Sequence, residues 1–310
     1  MKKIPVILGA TASGKTALAI ELALKFDAEI ISADSRQIYR ELTIGSAKPS
    51  PEALATVPHH FINEKHLLED YDAATFAQEA WQRIAHLLAG GKRVIVVGGS
   101  TLYLKSLIVG FSALPSAHPA LRARLYQELA SLGSEALYER LKRLDPERAQ
   151  TLDHTKTQRL IRSLEVIEST GRKMSELLSS LHHTPPFEFL CIGLELPRDM
   201  LYARINQRVD KMIENGLLEE AQSLYQRFAN IHKHKKINAL ETVGYKELFT
   251  FLDGTYSLAH AISLIKQHTR NYAKRQLTFF RNQFSINWIE ATSPSFALNQ
   301  ISSILTHWLA

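Results

Sequence analysis

An apolar run that ends in a glycine loop and opens straight into a helix leaves a chain few ways to fold, and residues 4–25 have that form. Ile4 to Leu8 is β-branched and apolar. Residues Gly9 to Thr16 read Gly-Ala-Thr-Ala-Ser-Gly-Lys-Thr and fit G-x-x-x-x-G-K-[ST], the phosphate-cradling P-loop. Ala17 to Lys25 is compatible with a helix. Gly9 and Gly14 permit backbone angles that other residues resist. The N–H groups of the loop (Gly9, Ala10, Thr11, Ala12, Ser13, Gly14, Lys15 and Thr16) can therefore turn toward one anion. The helix start adds free N–H groups and a positive dipole end. Lys15 adds a point charge, and the Thr16 hydroxyl can hold a magnesium ion. An ordinary glycine-rich turn is the plainer reading, and the strand and helix on either side count against it. The loop says that a phosphate or diphosphate binds, and not whose.

Further strands extend this start into a sheet. Ala28 to Ala33 reads as a second strand, Thr75 to Ala89 as an amphipathic helix closed by Gly90-Gly91, and Arg93 to Val97 as a buried strand closed by Gly98-Gly99. That order predicts an α/β fold: a P-loop NTPase-like parallel sheet with ligands at the strand carboxyl ends. From Pro119 to Leu181 only helical periodicity is seen, as in Leu121, Leu125, Leu129 and again Leu160, Leu164, Ile167. Phe187 to Leu196 returns to a strand pattern. Residues 119–186 are thus expected to form an all-helical insertion domain in a core made of 1–118 and 187–310. Helices are expected over Arg198 to Phe228, Leu240 to Leu252, Ser257 to Arg281 and Ser295 to Trp308, with an edge strand at Ile286 to Ile289.

With 310 residues, 45% hydrophobic and 22% charged, the chain has ordinary globular composition and ample core. One cysteine, Cys191, excludes a disulfide framework and a four-cysteine zinc site, and points to a reducing cytoplasm. No apolar run is long enough for a membrane span. The paired histidines His59-His60 and His182-His183 lack carboxylate or cysteine companions at ligand spacing, so no zinc is assigned.

Asp34 closes the second strand, where a ligand-facing carboxylate sits in this fold. It could hold magnesium through water, act as a base, or simply be the N-cap of a helix. Gly98 to Tyr103 (Gly-Gly-Ser-Thr-Leu-Tyr) is a second glycine loop, whose Ser100 and Thr101 could meet a phosphate or base edge, or simply cap a helix. Arg159 and Arg162 lie three apart on a helix and could grip phosphates or form a solvated face. From Gly254 to Ile289 there is no Asp or Glu, while Lys266, Arg270, Lys274, Arg275 and Arg281 interleave with Tyr272, Phe279 and Phe280. The net charge is +6. A one-signed helix with aromatics suits a nucleic acid; a core-facing aromatic stripe with a basic edge is the alternative.

These segments together resemble the bacterial tRNA dimethylallyltransferases, also called tRNA isopentenyltransferases. The resemblance is carried by the P-loop, Ser32 to Arg40, Ile44 to Pro49, Pro58-His59-His60, Gly98 to Tyr103, Gln158 to Val166, Val243 to Glu247 and Lys274 to Thr278. It spans most of the chain. It implies transfer of a dimethylallyl group from dimethylallyl diphosphate to N6 of adenosine 37, beside the anticodon of tRNAs reading codons that begin with U. The P-loop would then grip a departing diphosphate, with Mg2+ on Thr16, in place of an ATP that nucleotide-binding motifs usually suggest. Asp34 would accept a proton or a hydrogen bond from the adenine amine, with Lys15, Thr16 and Ser100 completing the catalytic set. The resemblance further implies tRNA contacts from Asp34, Ser35, Arg36, Gln37, Ser100 and Thr101, and from Arg122, Arg124, Gln158, Arg159, Leu160, Ile161 and Arg162. A last group comprises Thr242, Val243, Gly244, Tyr245, Lys246, Lys274, Arg275, Gln276 and Arg281. A cytoplasmic monomer acting on the anticodon stem-loop, with no membrane partner, is expected. Ala10 departs from the family's usual Pro, and Ser100 replaces its Thr while keeping the hydroxyl.

Two readings from other classes compete. A small-molecule P-loop kinase would explain the loop, Asp34 and a lid-like helical insertion, but not the acid-free basic helix. A noncatalytic RNA-binding protein would leave Lys15, Thr16 and Asp34 idle.

Overall fold

The structure is a computed structural model that describes residues 2–116, 118–180, 182–234 and 237–309. Among the described residues eight strands are formed: β1 (Lys3–Gly9), β2 (Ala28–Ala33), β3 (His59–His60), β4 (Arg93–Gly98), β5 (Phe111–Ser112), β6 (His182–His183), β7 (Glu188–Glu195) and β8 (Asn287–Glu290). Six make one all-parallel sheet in the order β3-β2-β4-β1-β7-β8, with Val6 opposite Val96 and Cys191. Alternate residues of its strands face two separate cores. Ile4, Val6, Leu8, Val94 and Val96 pack into one, and Ile7, Ile95 and Val97 into the other. Burial on both faces is why these strands read as unbroken apolar runs.

Helices cover both faces. The first are α1 (Lys15–Phe26), α2 (Pro51–Thr56), α3 (Ala73–Ala89) and α4 (Thr101–Val109). Leu18 and Leu22 of α1 fill one core, and Phe76, Ala80 and Ile84 of α3 the other. The four-residue spacing of Phe76, Ala80 and Ile84 is the pattern that marks α3 in the sequence.

The chain divides into two compact units, residues 2–108 with 185–309 and residues 109–184. The second therefore starts at Val109, ten residues before the apolar helical pattern does. It holds α5 (Pro119–Leu144), α6 (Pro146–Gln150), α7 (Thr157–Thr170) and α8 (Met174–Ser180) around Leu125, Leu137, Leu141, Leu160 and Leu164. It is not all-helical. Phe111 pairs with His183 and Ser112 with His182 as an antiparallel ribbon, too short to leave a strand signature. Helix α5 is broken at Gly133, at φ +81°.

The chain returns to the first unit with α9 (Arg198–Glu214), α10 (Leu217–His234), α11 (Tyr245–Leu252), α12 (Leu258–Gln283) and α13 (Pro294–Leu309). The helix expected over 198–228 is two helices, because Gly216 takes φ +96°. Residues 240–252 likewise begin as a short 3-10 turn, and α11 starts only after Gly244 at φ +108°. Among the described residues no helix is long and apolar enough to cross a membrane.

A candidate active site at the strand carboxyl ends

β1 delivers the P-loop and β4 the second glycine loop from neighbouring parallel strands, and β2 adds Asp34 from the far side of β4. This is the place where a doubly wound sheet binds ligands. Gly14 stands at φ +92° at the start of α1, and Ala12 takes φ +62°, a left-handed angle costing a non-glycine residue about 1–2 kcal/mol. Such strain persists where a loop is held for a ligand. A Cβ on Gly9 would lie 2.9 Å from both the Leu194 carbonyl and Ser13 Oγ, so the loop cannot close with any larger residue there. Ser13 is buried, and its hydroxyl has no hydrogen-bond partner among the described residues.

Lys15 Nζ donates to the Ala10 carbonyl at 3.0 Å. Burial, then the nearby Arg208 charge, lowers its pKa to about 8, with Asp34 pulling the other way. Arg208, on α9, donates to Thr11 Oγ1 at 3.5 Å. Burial lowers its pKa too, again opposed by Asp34. Two cations and one carboxylate thus share one desolvated zone above the loop. Arg208 was absent from the sequence expectations. Its helix mixes charge signs, and no motif marks it.

No helix follows Asp34, so it is not a helix N-cap: residues 35–38 form a turn, and Oδ1 accepts the N–H groups of Arg36 at 2.9 Å and Gln37 at 3.3 Å within it. No hydrogen bond among the described residues engages Oδ2, which stays available for chemistry. Ser100 Oγ accepts the Ser35 N–H at 2.8 Å and donates to Ser35 Oγ at 3.1 Å, tying the second glycine loop to the turn after Asp34. Arg36 Nε donates to Thr242 Oγ1, which passes its own proton to the Ala239 carbonyl at 2.7 Å. Gln37 spends its amide on Ser32 and on the carbonyls of Ser46 and Ala47. Tyr272 of α12 is half-buried beside this group; desolvation first, then Asp34, push its hydroxyl up to about 12.

The other expected contact residues divide by burial. Leu160 and Ile161 are core residues of the second unit, at 0% and 1% exposure. They face inward because the Leu160–Leu164 stripe is the apolar side of α7. Gln158 and Arg159 on the opposite side are exposed. Arg122 and Arg162 both pair with buried Glu165, and Arg124 with Glu168 and Glu128, so these three arginines hold the second unit together. Tyr245 is wholly buried and donates to Glu220, whose carboxylate also accepts the N–H groups of Thr43, Ile44 and Gly45. Val243 is half-buried in the core, Gly244 caps α11, and Lys246 is exposed. Thr101 opens α4.

On α12 the basic stripe is divided as well. Lys266 pairs with Asp210 at 2.6 Å, Arg270 donates to Asn206 at 2.7 Å, and Arg281 pairs with Glu195 at 2.9 Å. Lys274 and Arg275 are exposed, with no ion pair among the described residues, and line a groove with Asn271, Thr278 and Asn282. Gln276 points the other way. It is 2% exposed, accepts the Thr11 N–H at 2.9 Å and donates to the Gly99 carbonyl at 2.7 Å. It touches the site from inside and is shielded from a macromolecule.

The chain is similar to known proteins over most of its length. A family model described as IPP transferase matches residues 37–283. A Chlorobium chlorochromatii protein named tRNA dimethylallyltransferase is 60% identical over 93% of each chain, and one of that name from Chloroherpeton thalassium is 57% identical over 97% of this chain and 94% of its own. A solved tRNA isopentenylpyrophosphate transferase from Bacillus halodurans is 34% identical, with TM-score 0.73, covering 100% of this chain and 97% of that one. A eukaryotic dimethylallyltransferase solved acting on tRNA is 29% identical, with TM-score 0.79, covering 98% of this chain and 78% of that one.

Proposed function

The chain belongs to the IPP transferase family, and on that premise we propose that it transfers the dimethylallyl group of dimethylallyl diphosphate to N6 of adenosine 37 in tRNAs reading codons beginning with U. The observation that carries the reading is the pairing of a cationic phosphate loop with a half-free carboxylate: Lys15 and Arg208 on one side, Asp34 Oδ2 on the other. A kinase reading is not favoured, since relatives alike over nearly the whole chain are named for tRNA prenylation.

The N6 lone pair attacks the allylic carbon, that carbon's bond to oxygen breaks, and diphosphate departs with the electron pair. The N6 proton passes to Asp34 Oδ2. An exocyclic amine is a weak nucleophile, so most of the acceleration comes from stabilising the departing charge. Lys15, Arg208 and the N–H groups of residues 13–16 provide that. Asp34 Oδ1, held by two N–H groups, keeps the carboxylate aimed. The Thr16 hydroxyl, at the start of α1, is the loop side chain that would hold magnesium. An ion held mainly by phosphate oxygens and water needs few protein ligands. Magnesium, when bound, offsets charge on the leaving diphosphate. Lys274 and Arg275 of α12, with exposed Arg159, contact tRNA phosphates.

Purified protein mixed with dimethylallyl diphosphate, magnesium and unmodified tRNA bearing A36-A37-A38 tests this. Prenylated adenosine in the nuclease digest is the expected product. Its absence, with ATP-dependent phosphorylation of a metabolite instead, would establish the kinase.

A further inference from the structure

We propose that Gln276 is the positioning residue that sets the distance between the diphosphate cradle and the carboxylate that receives the amine proton. The inference rests on the reaction assigned above. One carboxamide bridges two loops. Its Oε1 takes the Thr11 N–H at 2.9 Å, and its Nε2 gives to the Gly99 carbonyl at 2.7 Å. The link continues beyond Gly99. The next residue, Ser100, holds the Ser35 N–H at 2.8 Å, and Ser35 follows Asp34. The P-loop and the turn after Asp34 are thereby joined through two buried side chains, Gln276 of α12 and Ser100. A second observation agrees: a Cβ on Gly99 would sit 2.7 Å from Gln276 Nε2, so the glycine is the space the amide occupies. Gln276 is fully buried, and both its polar ends are satisfied by backbone. Only an amide of this length provides one acceptor and one donor in those directions.

In-line displacement makes this distance matter. Nucleophile, carbon and leaving oxygen must align, and a misplacement of about 1 Å can cost on the order of a hundredfold in rate. Thr11 is also the residue whose hydroxyl Arg208 reaches, so the same bridge holds the Thr11 end of the cradle.

The test uses Gln276→Met, which keeps the volume and removes both hydrogen bonds, and Gly99→Ala, which keeps the glutamine and displaces it. Each should lower kcat by about tenfold to a hundredfold. The KM for dimethylallyl diphosphate and for tRNA should stay within about threefold, the signature of an interaction realised in the transition state. The double variant should be no slower than the worse single one, because both remove one bridge. Gln276→Met with wild-type kcat, a loss confined to KM, or multiplicative losses in the double variant would overturn the proposal. If Gln276→Met does not fold, Gly99→Ala alone decides on the same kcat-to-KM split. Wild-type protein that fails to prenylate tRNA would instead refute the reaction on which the inference rests.

Discussion

Arg208 NH1 reaches the Thr11 hydroxyl at 3.5 Å across 197 residues of sequence, so α9 supplies the phosphate loop with a second cation beside Lys15. A guanidinium at a diphosphate can make two parallel hydrogen bonds, where an ammonium acts as a point charge.

Arg208→Gln is therefore expected to raise the KM for dimethylallyl diphosphate by roughly ten- to a hundredfold, as loss of a charge-assisted pair costs ~1.5–3 kcal/mol. The KM for tRNA should move less than about threefold. Steady-state kinetics with each substrate varied separately checks this. Equal losses on both substrates would place Arg208 outside the cradle.

Lys15 links diphosphate binding to pH. Burial first, and Arg208 second, hold its ammonium at about 8, below lysine's usual 10.5. Between those values the unfolded chain keeps a proton that the folded one releases. This group's contribution to stability therefore rises with pH across that window and is unfavourable below it. An anion on the loop favours the charged form, so binding above pH 8 takes up a proton, and affinity falls as pH rises through about 8. Titration calorimetry at pH 8.5 in two buffers of different ionisation enthalpy should show uptake. In Arg208→Gln the onset should shift upward, because one of the depressing charges is gone.

Asp34 performs two tasks that one substitution separates. Asp34→Asn keeps an oxygen for the Arg36 and Gln37 N–H groups and loses the base. Turnover should drop about 10²- to 10⁴-fold with the melting temperature nearly unchanged. Asp34→Ala should lose the turn's hydrogen bonds also, at roughly 1 kcal/mol of stability. A variant within threefold of wild type in kcat would remove the proton-accepting role.

On α12 the contribution of each cation follows its partner. Lys274→Ala with Arg275→Ala should weaken tRNA binding uniformly across sequences and reduce the slope of log affinity against log salt by about two. Lys266→Ala and Arg281→Ala should change that slope little, since both charges are already paired with Asp210 and Glu195. Filter binding at several salt concentrations distinguishes the two sets. A shared slope change would mean that the paired cations exchange partners for phosphate.

The sheet was readable because its strands are buried on both faces, which leaves runs such as Ile4–Leu8 and Val94–Val97 with no polar interruption. The P-loop was readable because its glycines and lysine have fixed spacing. Side chains that converge from distant helices had no such signal. Arg208 and Glu220 are ordinary charged residues on amphipathic helices, and only folding shows that one faces Thr11 and the other the N–H groups of Thr43, Ile44 and Gly45. Family segments also mix faces. Leu160 and Ile161 travel in the same motif as Gln158 and Arg159, yet the spacing of Leu160 with Leu164 already marks the core side. The resemblance implies RNA contacts from Tyr245 and Gln276, yet both are buried and bonded within the protein. Glu165 sits in the segment Gln158 to Val166, and it could have been foreseen as the partner that occupies Arg162. Nothing in the sequence announced the pairing of residues 111–112 with 182–183.

That ribbon has a consequence for how the chain is assembled. Both ends of the second unit pass through two adjacent antiparallel strands, whose Cα atoms stand about 4.5–5.5 Å apart. A tight turn joining Ser112 to His182 would span that gap. The segment between thus enters and leaves through one two-residue ribbon, so its two ends are held as neighbours whatever the length of chain between them.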